Sequence, residues 1–153
     1  MAAIDPGKAG GVALYHRGRM SAFALPAEAG ELAAMLEDVD QIFVEDVPCF
    51  CGTAVPSHTA FKLGKSCGVA ETVAELSGAY VHRMKPREWQ KVAGMKRETG
   101  ETAAKWKARL KSRAQELTGL KLTLKTADAA LLLWAGIQNL SGAHAAAGEP
   151  QRW

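Results

Sequence analysis

The order of apolar segments along the chain predicts an α/β protein, a mixed five-stranded β-sheet flanked by α-helices. Three observations carry this. The first half alternates short, β-rich apolar runs with glycine and proline turns. One stretch there, and most of the second half, carries apolar residues at helical spacing. At 153 residues the chain is the size of one domain and shows no repeat or linker, so residues 1–153 are read as a single unit.

The elements follow in order. Ala2–Asp5 is a short apolar strand. Gly10–Tyr15 and Met20–Leu25 are strand-like runs joined by His-Arg-Gly-Arg, the pattern of a hairpin. Pro26 opens a helical stretch that places Leu32, Met35 and Leu36 at core spacing and ends near Asp38. Gln41–Val47 contains Ile-Phe-Val, suited to a buried strand. Pro48–Ser57, with two prolines, a glycine and two cysteines, reads as a loop. His58–Leu76 is a long helix rich in small residues, and Gly78 ends it. Tyr80–Met84 is a further strand, and Pro86 starts a short helix through Val92, since proline suits a first helical turn. After the polar loop Met95–Gly100, Thr102–Leu117 is a helix with Trp106, Leu110 and Leu117 on one side and basic residues on the other. Leu120–Leu124 connects to an apolar terminal helix, Ala127–Leu140. Only the tail Gly142–Trp153 reads as disordered.

Composition narrows the function class. The chain is 48% hydrophobic and 23% charged, an ordinary globular balance. No apolar run approaches the roughly 20 residues of a membrane span, and the N-terminus lacks the basic and apolar regions of a signal peptide. These features predict a soluble protein of the cytoplasm. Cys49, Cys51 and Cys67 read as reduced thiols in a loop and a helix; with His58 they match none of the usual zinc spacings. The net charge of +3 hides an asymmetry. Acids dominate up to Asp46, whereas between Arg83 and Lys125 a long series of lysines and arginines faces only Glu88, Glu98, Glu101 and Glu116. A basic half of this kind is the footprint of a polyanion partner, or else a solvated helix face.

Three acids mark element ends: Asp5 after Met-Ala-Ala-Ile, Glu45 after Ile-Phe-Val, and Asp128 at the head of the terminal helix. Each has an ordinary reading. Asp-Pro-Gly is a turn tripeptide, Glu45 and Asp46 suit a solvated strand edge, and acids favour helix N-termini. If the three converge, they make a divalent-metal site. Gly7, Gly10 and Gly11 would then leave room for a phosphate beside Asp5. Lys107, Arg109, Lys111 and Arg113 on the basic helix would neutralise phosphates without reading sequence.

The ordered set of segments resembles RuvC-type Holliday junction resolvases. Ile4-Asp5-Pro6-Gly7 followed by Gly10-Gly11-Val12-Ala13-Leu14 is similar to their opening, and Phe43-Val44-Glu45-Asp46-Val47 to their second acidic strand. Ala60 to Ala70 resembles their long dimer-interface helix, Pro86-Arg87-Glu88-Trp89-Gln90-Lys91 the segment after the fourth strand, and Thr126-Ala127-Asp128-Ala129-Ala130-Leu131 the closing acidic helix. The short length and the Pro-Arg-Glu-Trp segment look most like the phage-encoded branch.

The resemblance implies an RNase H-like fold, a homodimer through helix 58–76, and cutting of branched DNA with two Mg²⁺ or Mn²⁺ ions held by Asp5, Glu45 and Asp128. It also implies a catalytic lysine near the scissile phosphate, matched by Lys105 with Lys91 as a second candidate, and a junction-inserting aromatic near Phe50. The chain departs from the family at Lys125, where a fourth carboxylate is usual, and Thr126 is too short and neutral to substitute fully; the departure implies a three-carboxylate site with weaker second-metal binding, ahead of a replacement from Asp46 or a junction-binding protein that cuts poorly. The acidic, glycine-rich hairpin also resembles the phosphate loop of the actin and sugar-kinase type, a fold that usually needs two such domains where this chain holds one.

Overall fold

The structure is a computed structural model that describes residues 1–7, 9–47 and 56–147, with side chains through residue 142. Its elements are β1 (Ala2–Asp5), β2 (Gly11–His16), β3 (Arg19–Ala24), α1 (Ala29–Met35), β4 (Gln41–Glu45), α2 (Ser57–Leu76), β5 (Tyr80–Met84), α3 (Pro86–Val92), α4 (Ala103–Thr118) and α5 (Ala127–Ala147). The strands form one mixed sheet in the order β3-β2-β1-β4-β5. β2 runs antiparallel to β3, as the hairpin pattern predicts, and β1 runs antiparallel to β2. β1 pairs in parallel with β4, and β4 with β5.

Strand alternation divides the core into two layers. Ala3, Ala13 and Phe43 face one way and pack with Trp89, Trp106, Leu110 and the buried stretch of α5. Ala2, Ile4, Val12, Ile42 and Val44 face the other way and pack with Leu32 and Leu36 and with Ala70 and Ala74 of α2. The sheet is therefore sandwiched, with α3, α4 and α5 on one face and α1 and α2 on the other.

Most boundaries fall close to where the sequence punctuates them, and the first and terminal helices depart furthest. The first helix begins at Ala29 rather than Pro26, because Leu25 still donates its N–H to the Gly10 carbonyl at 3.0 Å and the chain is leaving the sheet at Pro26. The terminal helix runs through Ala147, past the expected end at Leu140, since alanines follow Gly142 and favour the helix. The remainder of the tail expected to be disordered lies outside the described residues.

α5 sits on the sheet at two close approaches. A Cβ on Gly11 would stand 2.5 Å from the Lys125 carbonyl oxygen and 2.9 Å from that of Phe23, both rigid backbone. A Cβ on Gly136 would stand 2.6 Å from the ring of Phe43. These contacts correct the expectation of phosphate space at the glycines: the room beside Gly11 holds the entry to α5, and that beside Gly10 holds the Asp5 carbonyl at 2.0 Å. Gly11→Ala is therefore expected to destabilise by about 1–3 kcal/mol through overpacking. Gly30→Ala, in α1 with nothing within 4 Å of the added methyl, is expected to be neutral or to stabilise by up to about 1 kcal/mol. Denaturant unfolding of the two variants checks the contrast in sign.

Candidate active site

The strand register brings the first two acids together. Ile4 lies opposite Val44 in the parallel β1–β4 pair, so the next residues, Asp5 and Glu45, leave the sheet side by side. Alternation puts both on the face of Ala3 and Phe43, beneath α5. Asp128 stands in the first turn of α5. The Gly11 contact brings the start of that helix down onto β2, and Asp5 pairs with Gly11 across the β1–β2 ladder. All three carboxyl groups thus meet at one end of the sheet. The turn reading of Asp-Pro-Gly holds as well. Gly7 has a positive φ of 123°, its carbonyl accepts from Gly10 N–H at 3.0 Å, and its own N–H donates to Ser66 Oγ of α2 at 2.9 Å.

Three charges so close cannot all be free. The Asp5 carboxyl is pushed up to about 9, first by burial and then by the charges of Glu45 and Asp128, with Lys107 opposing. Glu45 is raised as well, mainly by burial, while hydrogen bonds from Asp5 and Trp89 work against the rise. Asp5 therefore keeps its proton at neutral pH and shares it with Glu45. The Trp89 indole Nε1–H donates to Glu45 Oε1 at 3.0 Å. Asp128 is only 5% exposed, and its Oδ2 accepts from the Lys107 ammonium. Its Oδ1 is buried and, among the described residues, has no hydrogen-bond partner. Burial acts to lower the Lys107 ammonium, but Asp128 outweighs it and, helped by Asp5 and Glu45, holds it above its ordinary value.

Among the described residues no group of three His, Cys, Asp or Glu side chains is arranged to hold a metal ion as it stands. The chemistry of the donor set nonetheless suits a hard divalent cation: three carboxylates, one with an orphaned buried oxygen, and a charge density that has to take up a proton in a cation's place.

The basic residues divide sharply. Lys105 and Lys107 are two positions apart on α4, about 200° around a helix, so they lie on opposite flanks. Lys107 meets Asp128, while Lys105, expected beside the reacting phosphate, is exposed on the other side. Arg109 sits with Lys105 on that far flank and is committed to the fold. It bonds both carboxylate oxygens of buried Glu101 at 3.0 Å, pairs with Glu98 at 3.3 Å and lies over the Trp106 ring. Arg113 donates to the Ala93 carbonyl at 2.9 Å and pairs with Glu116 at 2.8 Å. Lys111 follows Lys107 by one turn, and Lys91 is exposed on α3. Phe50, Cys49 and Cys51 lie outside the described residues. Cys67 is half-buried on α2, and its thiol is raised by burial first and then by Glu71, Glu45 and Asp5. Asp46 follows Glu45 with its N–H on the Met84 carbonyl at 2.9 Å, and alternation turns its side chain to the face away from the cluster. Thr126 accepts at Oγ1 from Thr123 N–H at 3.0 Å, and Lys125 is exposed.

Sequence reasoning left Trp89 without a role and gave Lys107 only a general phosphate contact. A buried indole needs an acceptor, which was the available signal for Trp89. A concavity of about 540 Å³ lies on the opposite face of the sheet, with Leu32 and Leu63 among its apolar walls and Glu28, His58, Lys62 and Lys65 among its polar ones.

No protein-family model matches the chain, and no curated protein matches it. Solved structures do. RuvC of Thermus thermophilus in complex with a Holliday junction substrate aligns with a TM-score of 0.58 at 17% identity, over 93% of this chain and 96% of that one. A second Thermus thermophilus RuvC structure aligns with a TM-score of 0.55 at 18% identity, over 93% and 97%. The fold is RuvC-like. The likeness spans nearly the whole of both chains and agrees with a mixed five-stranded sheet flanked by helices.

Two outcomes follow from this geometry. The raised Asp5 carboxyl binds its proton in the folded protein up to about pH 9, whereas the unfolded chain releases it near the ordinary value of 3.8. Its stabilising contribution is complete below that lower value and is lost as pH rises through the higher one, with a slope of up to about 1.4 kcal/mol per pH unit. Cation-free Asp5→Asn is expected to lose distinctly less stability than wild type between about pH 5 and about pH 9; parallel slopes in denaturant unfolding would disprove the shared proton. Trp89→Phe keeps the ring and removes the N–H, at an expected cost of about 1–3 kcal/mol. That cost should shrink in a Glu45→Ala background, which a double-mutant cycle measures.

Proposed function

We propose that the chain is a structure-selective endodeoxyribonuclease that resolves Holliday junctions and other branched DNA by metal-assisted phosphodiester hydrolysis. The observation that carries this reading is the convergence of Asp5, Glu45 and Asp128 at one end of the sheet, with a lysine already turned into the cluster. The RuvC-like fold supports it, since one of the similar structures holds a Holliday junction substrate. Asp5, Glu45 and Asp128 would hold two Mg²⁺ or Mn²⁺ ions. Such ions supply Lewis-acid stabilisation of charge on the phosphodiester.

The protein's own groups do the rest. Trp89 fixes the orientation of Glu45 through its indole N–H. Lys107 places a positive charge beside the carboxylates, where it can stabilise charge that builds on a phosphate in the transition state. Lys111, Lys105 and Lys91 remain to neutralise the DNA backbone. Water would attack phosphorus and give up a proton to solvent as the bond from phosphorus to the 3′ oxygen breaks, the leaving oxygen would take up a proton, and a 5′-phosphate and a 3′-hydroxyl would result.

A four-way junction must be cut twice in symmetric positions, which a two-fold dimer accomplishes with two identical sites. α2 is the element assigned to that interface. Only Ala70 and Ala74 of this helix are buried, while Phe61 is 75% and Leu76 82% exposed. Phage origin and action in the cytoplasm of a bacterial host belong to the same reading; no helix among the described residues is long and apolar enough to cross a membrane.

One feature favours a second reading, a junction-binding protein of the same fold that cuts poorly. Lys125 is exposed where a fourth carboxylate was expected, and neither Asp46 nor Thr126 turns into the cluster to replace it. Nicking of a synthetic four-way junction in Mg²⁺ and in Mn²⁺ separates the two. Wild type is expected to nick, and Asp5→Asn and Asp128→Asn are expected to lose at least about 100-fold in rate while keeping junction affinity. Binding without nicking in either cation selects the second reading.

A further inference from the structure

Lys107 is the ionic partner of Asp128. Its ammonium donates to Oδ2 of a side chain that is only 7% exposed, while its own side chain is 50% exposed. The neighbouring Oδ1 is buried and unpartnered among the described residues. Asp128 is fixed by the first turn of α5 and by its burial, whereas Lys107 hangs from a four-carbon stem at the edge of solvent. Of the two, only the lysine is free to leave.

A divalent cation binds carboxylate oxygens at roughly 2.0–2.6 Å. An ammonium on the same oxygen places a second positive charge within about 4 Å, a repulsion that low-dielectric surroundings magnify. The two cannot share Oδ2. We propose that Lys107 is an internal counter-ion that closes Asp128 to divalent cations and gives the carboxylate up only in exchange for one. This rests on the metal-dependent reading of the site and deepens it. Loading the site and freeing the Lys107 ammonium become one event, so the lysine is released for a phosphate only in a loaded protein. In the unloaded protein the same ion pair keeps the buried carboxylate compensated.

Calorimetric titration of Mn²⁺ into the DNA-free protein tests the exchange. Lys107→Met removes the competitor and nearly keeps its length, and is expected to bind Mn²⁺ about tenfold more tightly than wild type, on the order of one ion-pair exchange. Lys107→Arg keeps the competing charge and is expected to stay near wild type. Lys111→Met removes the same charge one turn further along the helix and is expected to shift affinity by less than about threefold, the size of a screened surface charge effect. Equal affinity of wild type and Lys107→Met, or an equal gain in Lys111→Met, overturns the competition and leaves the metal site standing. Failure of every variant and of wild type to take up Mn²⁺ overturns both. A second measurement needs no substitution: acylation of Lys107 in wild type, followed by peptide mass mapping, is expected to rise several-fold on adding Mn²⁺, and unchanged reactivity overturns the proposal.

Discussion

The register of β1 against β4 is the constraint on which the rest of the site depends. With Ile4 opposite Val44, two carboxyl groups leave adjacent strands at the same level and on the same face. A slip of one residue would send one of them to the face covered by α1 and α2, because strand side chains alternate. The pattern of apolar residues forbids that slip, since Ala2, Ile4, Ile42 and Val44 belong to the core on that opposite side. The core therefore holds like charges together against their repulsion.

Each carboxyl group is compensated differently. Asp5 keeps a proton, Glu45 accepts from an indole as well as from that proton, and Asp128 takes an ammonium. What costs stability is the gathering of three buried acids, and each device offsets part of that cost. The same local charge recurs on the far flank of α4 with the opposite purpose. There Glu101 and Glu98 gather Arg109, and the result fixes the loop before the helix to the helix itself. One helix thus carries a flank that is chemically spent and a flank that is not.

Much of this was legible beforehand. Tyr80–Met84 and Pro86–Val92 were read to the residue because Gly78 and Pro86 punctuate them unambiguously. The three acids stood out because each closes or opens an apolar element. What was hidden depended on tertiary placement. Lys105 and Lys107 look equivalent in a basic run, and only the docking of α4 on α5 decides which flank meets Asp128. Trp89 carried a polar handle whose acceptor lies 44 positions away in the chain. The glycines at positions 10 and 11 signalled close approach, and the structure shows that what approaches is the chain's own backbone.

α5 touches the sheet at Gly11 through its entry and at Phe43 through Gly136. Its later residues Asn139 and Leu140 line a concavity with His82 and Met84 of β5. From Asp128 to Asn139 a rigid helix covers about 16 Å. Asp128 and the wall of that concavity therefore belong to one helix, which rests between them on the ring of Phe43.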